Sequence, residues 1–250
     1  MKENINKIIQ WVLQQPVKGC ITGSCLLGVF ENQDIDIFLY DEKSFNKILF
    51  AMHHNSMFLI LNKLEQWKFD QYINKNKDNY SKQGIITIKF YYNTCIPVNI
   101  ILKKGNDNIF SILSSFDINI ICKGIDIQTG KELDLTEDST INKIASWNKW
   151  NTSFYNPELW EMNRILRQLE RVFKYYKRGY NTDLVVLKYI EIINSIQELE
   201  DIFSSTNYTE RLKINKENTK IIKQICEIWL EKHEISDKEL ELLKLKIKEI

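Results

Sequence analysis

The sequence predicts an α+β domain followed by an all-helical one. Three observations lead there. Apolar residues recur at helical spacing at the start of the chain and through its last third. Between those stretches lie short runs in which apolar and polar residues alternate, the mark of half-buried strands. Gly and Pro are scarce, 8 and 3 in 250 residues, so regular structure dominates over long loops. The strand signals stop near residue 138, which predicts domains at 1–138 and 139–250.

Ile5, Ile8, Ile9, Val12 and Leu13 share one helical face, and Pro16 stops that helix. Gly19, Cys20, Ile21 and Thr22 form a short strand that runs into Gly23 and Ser24, and a short helix is expected from there to about Phe30. Residues 34–40 alternate as a strand. Asp41 and Ser44 offer helix starts, and Phe45, Ile48, Leu49 and Met52 continue a helical face. Residues 57–73 read ambiguously, with Leu61, Leu64 and Glu65 favouring helix, and the polar stretch 74–83 reads as a surface loop. Strands at 85–92 and 97–102 are close enough for a hairpin. A break at 105–108 precedes a short helix to Ser115, and 116–120 alternates again as a strand. Segments 124–128 and 132–135 flank a Thr129-Gly130 turn. Aromatic residues gather at the junction, among them Trp147, Trp150 and Phe154, and helices follow at 157–178, 183–203 and 215–249, the last broken near Ser236.

Composition narrows the function classes. Apolar residues make up 44% and charged residues 27%, as in ordinary globular domains. A net charge of +1 gives no global pull toward nucleic acid or membrane, so any basic surface is local. No apolar run reaches the roughly 20 residues that span a bilayer. The N-terminus leads into an amphipathic pattern and not a secretory leader, and the five cysteines show no paired spacing. A cytoplasmic setting with free thiols is expected.

One constellation carries chemistry. Gly23-Ser24 is followed, after nine residues, by Asp34-Ile35-Asp36-Ile37-Phe38. On a strand, residues two apart point the same way, so Asp34 and Asp36 share a face about 6–7 Å apart. Paired carboxylates repel, and a divalent cation with hard oxygen ligands relieves them. Glycine lets a backbone approach a phosphate closely, and a serine hydroxyl donates to one. Gly23, Ser24, Asp34 and Asp36 together point to a nucleoside triphosphate (NTP) bound with Mg²⁺ or Mn²⁺. The bland alternative is a solvent-facing strand with two incidental aspartates. Apolar residues at 35, 37 and 39 and the preceding Gly-Ser turn argue against it.

The run TGSCLLGVFENQDIDIF resembles the signature of the DNA polymerase β-like nucleotidyltransferase superfamily. The resemblance covers about residues 17–136. It implies a minimal mixed sheet flanked by helices, and transfer of a nucleoside monophosphate from an NTP to a hydroxyl acceptor with two metals. It also implies a third carboxylate on a later strand. The strand at 97–102 offers Asn99 at that place, which can coordinate a metal but cannot act as a general base. Asp117 is the nearest substitute carboxylate. The segments FDINIIC and KYYKRGY also resemble a phage and bacterial subgroup of nucleotidyltransferases.

The helix at 157–178 carries a second feature. Arg164, Arg167, Arg171, Lys174 and Arg178 are spaced three or four apart, with Lys177 beside them, and so line one stripe. Arginine binds phosphate bidentately. The stripe reads as a track for the NTP tail or an RNA backbone, with Arg171, Lys174, Lys177 and Arg178 as the phosphate candidates. A solvated basic face is the alternative. RNA is the first expected acceptor, and a small molecule or a protein hydroxyl are the others. Two competing classes remain at this level. One is a degenerate module that binds nucleotide or RNA without turnover. The other is a partner-binding component of a toxin–antitoxin or phage-conflict pair, docking through the helical domain.

Overall fold

The computed structural model describes residues 2–28, 33–59, 84–151, 162–203 and 216–235. The expected ends of several elements, and most of the segments at 57–73 and 74–83, lie outside the described residues. The chain divides into two compact units, Met1–Glu137 and Asp138–Ile250.

The first unit is built on a seven-stranded mixed sheet in the order β3-β4-β5-β2-β1-β6-β7. Its strands are β1 (Gly19–Thr22), β2 (Ile35–Leu39), β3 (Phe58–Leu59), β4 (Ile85–Tyr92), β5 (Ile96–Lys103), β6 (Lys123–Asp126) and β7 (Glu132–Asp134). Only β2 and β5 pair in parallel, and their neighbours are antiparallel. Helix α1 (Lys2–Leu13) buries Ile5, Ile8 and Val12. Helix α2 (Glu42–His53) starts where the Asp41 carboxylate accepts from the Ser44 N–H, an N-cap that satisfies a donor left free by helix geometry. Its buried Phe45, Ile48, Leu49 and Met52 join α1 in one core with Ile21, Ile35, Ile37, Leu39, Ile88, Phe90, Val98 and Ile100 from one sheet face. Helix α3 (Ile109–Ser114) opens on a capping box between Asn108 and Ser111. It packs on the other face, where Ile112 meets Cys20, Phe38 and Ile101.

Strand alternation explains the division. In β4, Ile86, Ile88, Phe90 and Tyr92 are buried while Ile85, Thr87 and Lys89 are exposed. The α+β architecture expected from the sequence is the one observed, a mixed sheet flanked by helices and followed by helices.

Three local expectations change. The helix expected after Gly23-Ser24 is, in its described part, a single 3₁₀ turn at Ser24–Leu26. The strand expected at 116–120 is a bend leading into a 3₁₀ turn at Asn119–Ile121. Ile118, Ile120 and Ile121 are all buried there, so the chain has one inner side and not the two faces of a strand. The described start of the ambiguous 57–73 segment pairs with β4 as β3, because Phe58 and Leu59 find an open sheet edge beside Tyr91 and Tyr92.

In the second unit every described element is a helix: α4 (Ser139–Asn142), α5 (Met162–Lys177), α6 (Asp183–Phe203) and α7 (Lys216–Lys232). Leu169, Val172 and Phe173 of α5, Val186, Tyr189 and Ile193 of α6, and Ile222, Ile225 and Trp229 of α7 are buried. Phe173 stacks on Trp229 with centroids 4.2 Å apart. Among the described residues no helix is long and apolar enough to cross a membrane.

Candidate functional site

β1 delivers the chain to Gly23, whose φ of 93° and ψ of −166° lie in a region that only glycine adopts without strain. A side chain there would also be crowded, since a Cβ would sit 3.0 Å from Asp36 Oδ2. The turn that follows is held from two sides. The Leu26 and Leu27 N–H groups donate to the carbonyls of Gly23 and Ser24, each at 3.1 Å. The buried Gln33 side chain donates from Nε2 to the carbonyls of Ser24 and Gly28. Gln33 thereby ties the Gly-Ser turn to the strand that carries the carboxylates. Ser24 itself is buried.

Asp34 and Asp36 stand half-buried at the start of β2. Asn99 joins them. Its Nδ2 donates to Asp34 Oδ2 at 3.2 Å and to Asp36 Oδ1 at 2.8 Å. Register explains the meeting: Asp36 lies opposite Asn99 on β5 and opposite Thr22 on β1. Lys89 on β4 lies opposite Asn99 in turn. Residues directly opposite across strands share a face, so Lys89, Asn99, Asp36 and Thr22 form one row across four strands. Two oxygens in that row are buried without a partner, Asn99 Oδ1 and Thr22 Oγ1. A buried polar atom left unpaired costs about 1–3 kcal/mol, and a water or a bound group can meet it.

The charge of the pair is felt nearby. The Cys25 thiol is pushed up to about 12, first by burial and then by the Asp36 and Asp34 carboxylates. Cys25 Sγ donates to the Thr22 carbonyl at 3.3 Å.

The donor set suits one Mg²⁺ or Mn²⁺. Two carboxylates lie side by side, and an amide turns either its nitrogen or its oxygen toward them by half a rotation. The Asn99 nitrogen now bridges the carboxylates. With its oxygen turned inward, the set becomes three hard oxygens. Among the described residues no group of three or more His, Cys, Asp or Glu side chains gathers to hold a metal. Asp117, the substitute third carboxylate, is buried in the bend after α3 and is not gathered with Asp34 and Asp36. Asn99 is the side chain that the register brings beside the pair.

The basic stripe belongs to the second unit. Arg171, Lys174 and Lys177 are exposed on or at the end of α5. The Arg178 guanidinium lies over the Tyr175 ring, 5.6 Å from its centroid. The side chains of Arg164 and Arg167 lie outside the described residues. Tyr176 stacks on His233 at 5.3 Å, and His233 Nε2 is 2.9 Å from Asp183 Oδ1. Thr22, Gln33 and Lys89 escape sequence reasoning. Lys89 is exposed on β4, and only register sets it beside Asn99.

No family model and no curated protein matches this chain. Solved structures resemble it at low identity. A Thermotoga maritima CCA-adding enzyme complexed with tRNA is 14% identical, with a TM-score of 0.47, over 87% of this chain and 51% of the other. A CCA-adding enzyme with CTP is 13% identical, with a TM-score of 0.47, over 92% and 60%. A tRNA-processing enzyme in an apo form is 15% identical, with a TM-score of 0.42, over 97% and 69%. The chain spans 51% and 60% of the length of the first two.

Proposed function

We propose that this chain is a metal-dependent nucleotidyltransferase of the DNA polymerase β-like superfamily. It would move a nucleoside monophosphate from an NTP to a hydroxyl acceptor and release pyrophosphate. The observation that supports this reading best is the row on the second sheet face, where Asn99 joins Asp34 and Asp36 and where Asn99 Oδ1 and Thr22 Oγ1 are buried without partners.

Asp34 and Asp36, with Asn99 Oδ1 turned inward, would hold Mg²⁺ or Mn²⁺. Bound there, the cation would neutralise triphosphate charge and polarise the α-phosphorus. Gly23 leaves room for phosphate oxygens beside the backbone, and Gln33 keeps the turn in shape. Among the described residues no third carboxylate gathers with the pair to take the proton of the attacking hydroxyl, so positioning and charge would carry most of the rate. RNA is the favoured acceptor, on the exposed Arg171, Lys174 and Lys177 of the second unit.

Incubation with NTP, Mg²⁺ and RNA should release pyrophosphate, and Asp36→Ala should abolish the release. Full activity in that variant would sink the two-carboxylate chemistry. The amide at the third position favours a second reading, a module that binds nucleotide without turnover. Calorimetry with and without Mg²⁺ beside the pyrophosphate assay separates the two, since binding without release on a broad acceptor panel supports the module.

A further inference from the structure

Taking the NTP site proposed above as its basis, we infer that the acceptor is the 3′ end of a single-stranded RNA and that its last nucleoside stacks on a row formed by Leu59, Tyr91 and Pro97. The direction of approach follows from the chemistry. In phosphoryl transfer the attacking and leaving oxygens stand roughly in line across the phosphorus. The Gly23-Ser24 turn lies at the end of β1, and the triphosphate tail belongs there. The two carboxylates belong to the neighbouring strand, β2. A pyrophosphate that leaves toward β1 requires an acceptor that arrives from the opposite side, over β5 and β4. The 3′ oxygen then bonds the α-phosphorus as the bond to the α–β bridging oxygen breaks. Pyrophosphate takes that electron pair, and the hydroxyl proton passes to water.

What stands on β5 and β4 fits a nucleoside. Tyr91 lies directly opposite Leu59 on β3 and opposite Pro97 on β5. Pro97 precedes Val98, the partner of Ile35, and so stands beside Asp34. Pro97 is two residues from Asn99, and Tyr91 is two from Lys89, so this row shares a face with the row that holds the carboxylates. Leu59, Tyr91 and Pro97 are each half-buried. Among the described residues the Tyr91 ring meets no other ring, and its hydroxyl makes no hydrogen bond. An apolar row with part of its surface in water thus runs beside the carboxylates. Two strand spacings, about 10 Å, separate Tyr91 from the strand of Asp34, and the sugar and base of one nucleoside reach across that gap. Every base has a π-face, so an aromatic side chain takes any of them by stacking. Charge agrees. β4 and β5 carry Lys89 and Lys103 and no Asp or Glu, so an RNA backbone meets no anionic side chain on these two strands. A compact polar acceptor would leave the apolar row uncovered.

The test separates acceptor binding from nucleotide binding. Short single-stranded RNAs carry the fluorescent base 2-aminopurine either at the 3′ terminus or at an internal position, with a dye at the 5′ end. They are bound to the full chain in EDTA, where no turnover occurs. Dye anisotropy reads affinity, and quenching of 2-aminopurine reads stacking. Calorimetry with Mn²⁺ reads binding of the α,β-methylene analogues of the four ribonucleoside triphosphates. The parent chain should quench the terminal base more than the internal one. Tyr91→Ala should abolish that difference and weaken RNA binding about tenfold, the loss of one base–aromatic stack, while keeping the parent affinity for the analogues. Tyr91→Trp should restore both RNA readouts. Tyr91→Thr, with a strand-favouring side chain, repeats the test if Tyr91→Ala fails to fold. Parent RNA affinity and terminal quenching in the folded variant would overturn the stacking row. Weakened analogue binding with RNA binding unchanged would assign the row to the incoming nucleotide and overturn the acceptor's place. A parent chain that binds an analogue but no RNA would overturn the RNA acceptor and leave the NTP reading standing. A parent chain that binds RNA but no analogue would sink the NTP reading and, with it, the direction of approach.

Discussion

Asn99→Asp tests the geometry of the site without any substrate. The native amide donates to both carboxylates, at 3.2 and 2.8 Å. Hydrogen bonds to charged groups contribute about 1.5–3 kcal/mol each, and the longer of the two lies at the weak end. The substitution removes both and sets a third carboxylate against the pair. Two like charges 4 Å apart repel by about 4 kcal/mol at the effective dielectric near a protein surface, and water reaching the half-buried Asp34 and Asp36 reduces this. A loss of about 3–6 kcal/mol follows for the cation-free variant. In a unit of this size that lowers Tm by about 10 °C or more. The sign with pH is defined. Like-charge neighbours raise the folded-state pKa of the new carboxyl above its unfolded value. The repulsive part of the variant's deficit is therefore absent below the unfolded pKa and is complete once pH has risen through the raised one, while the loss of the amide's hydrogen bonds is only partly made good by the single O–H of a protonated carboxyl. Thermal melts in EDTA should show a large deficit at neutral pH that shrinks in mild acid. Added Mg²⁺ should recover stability in the variant more than in the parent, by mass action on the folded state. A variant as stable as the parent in EDTA at neutral pH, and indifferent to Mg²⁺, would refute the placement of Asn99 between the two aspartates.

Other outcomes are equally direct. Gly23→Ala should cost about 1–3 kcal/mol from the positive φ alone. Its Cβ, 3.0 Å from Asp36 Oδ2, should also displace that carboxylate and weaken Mn²⁺ binding, and normal Mn²⁺ affinity would refute the close approach. Thiol labelling should separate the cysteines, since Cys95 is exposed while Cys20, Cys25, Cys122 and Cys226 are buried. Burial pushes Cys20, Cys25 and Cys226 up to about 12, so their thiolate is scarce until strongly alkaline pH. One fast equivalent of a thiol reagent per native chain, rising to all five in denaturant, is expected, and a second fast equivalent would contradict that burial.

Much of the architecture was legible because its causes are local. Helix α1 follows from apolar spacing, α2 from Asp41 ahead of such spacing, and β4 from strict alternation. The stretch 116–120 misled because alternation in so short a run fits a 3₁₀ turn buried on one side as well as a strand. The pairing of Asp34 and Asp36 on one face is likewise a property of adjacent residues and needs no tertiary contact, whereas the positive φ of Gly23 and its close approach to Asp36 came only with the structure.

What joins that pair to the rest of the site is not local. Asn99 could be marked from sequence as a third position of the wrong charge, but not as the amide that bridges both carboxylates. Thr22 and Lys89 could not be marked at all. These residues meet because β2 pairs in parallel with β5 while β1 and β4 flank them antiparallel. Lateral register depends on long-range pairing, and a shift of one residue would send each side chain to the opposite face. The sequence by itself determined which carboxylates face one way. Only the tertiary structure decided that an amide, a hydroxyl and a lysine stand in line with them.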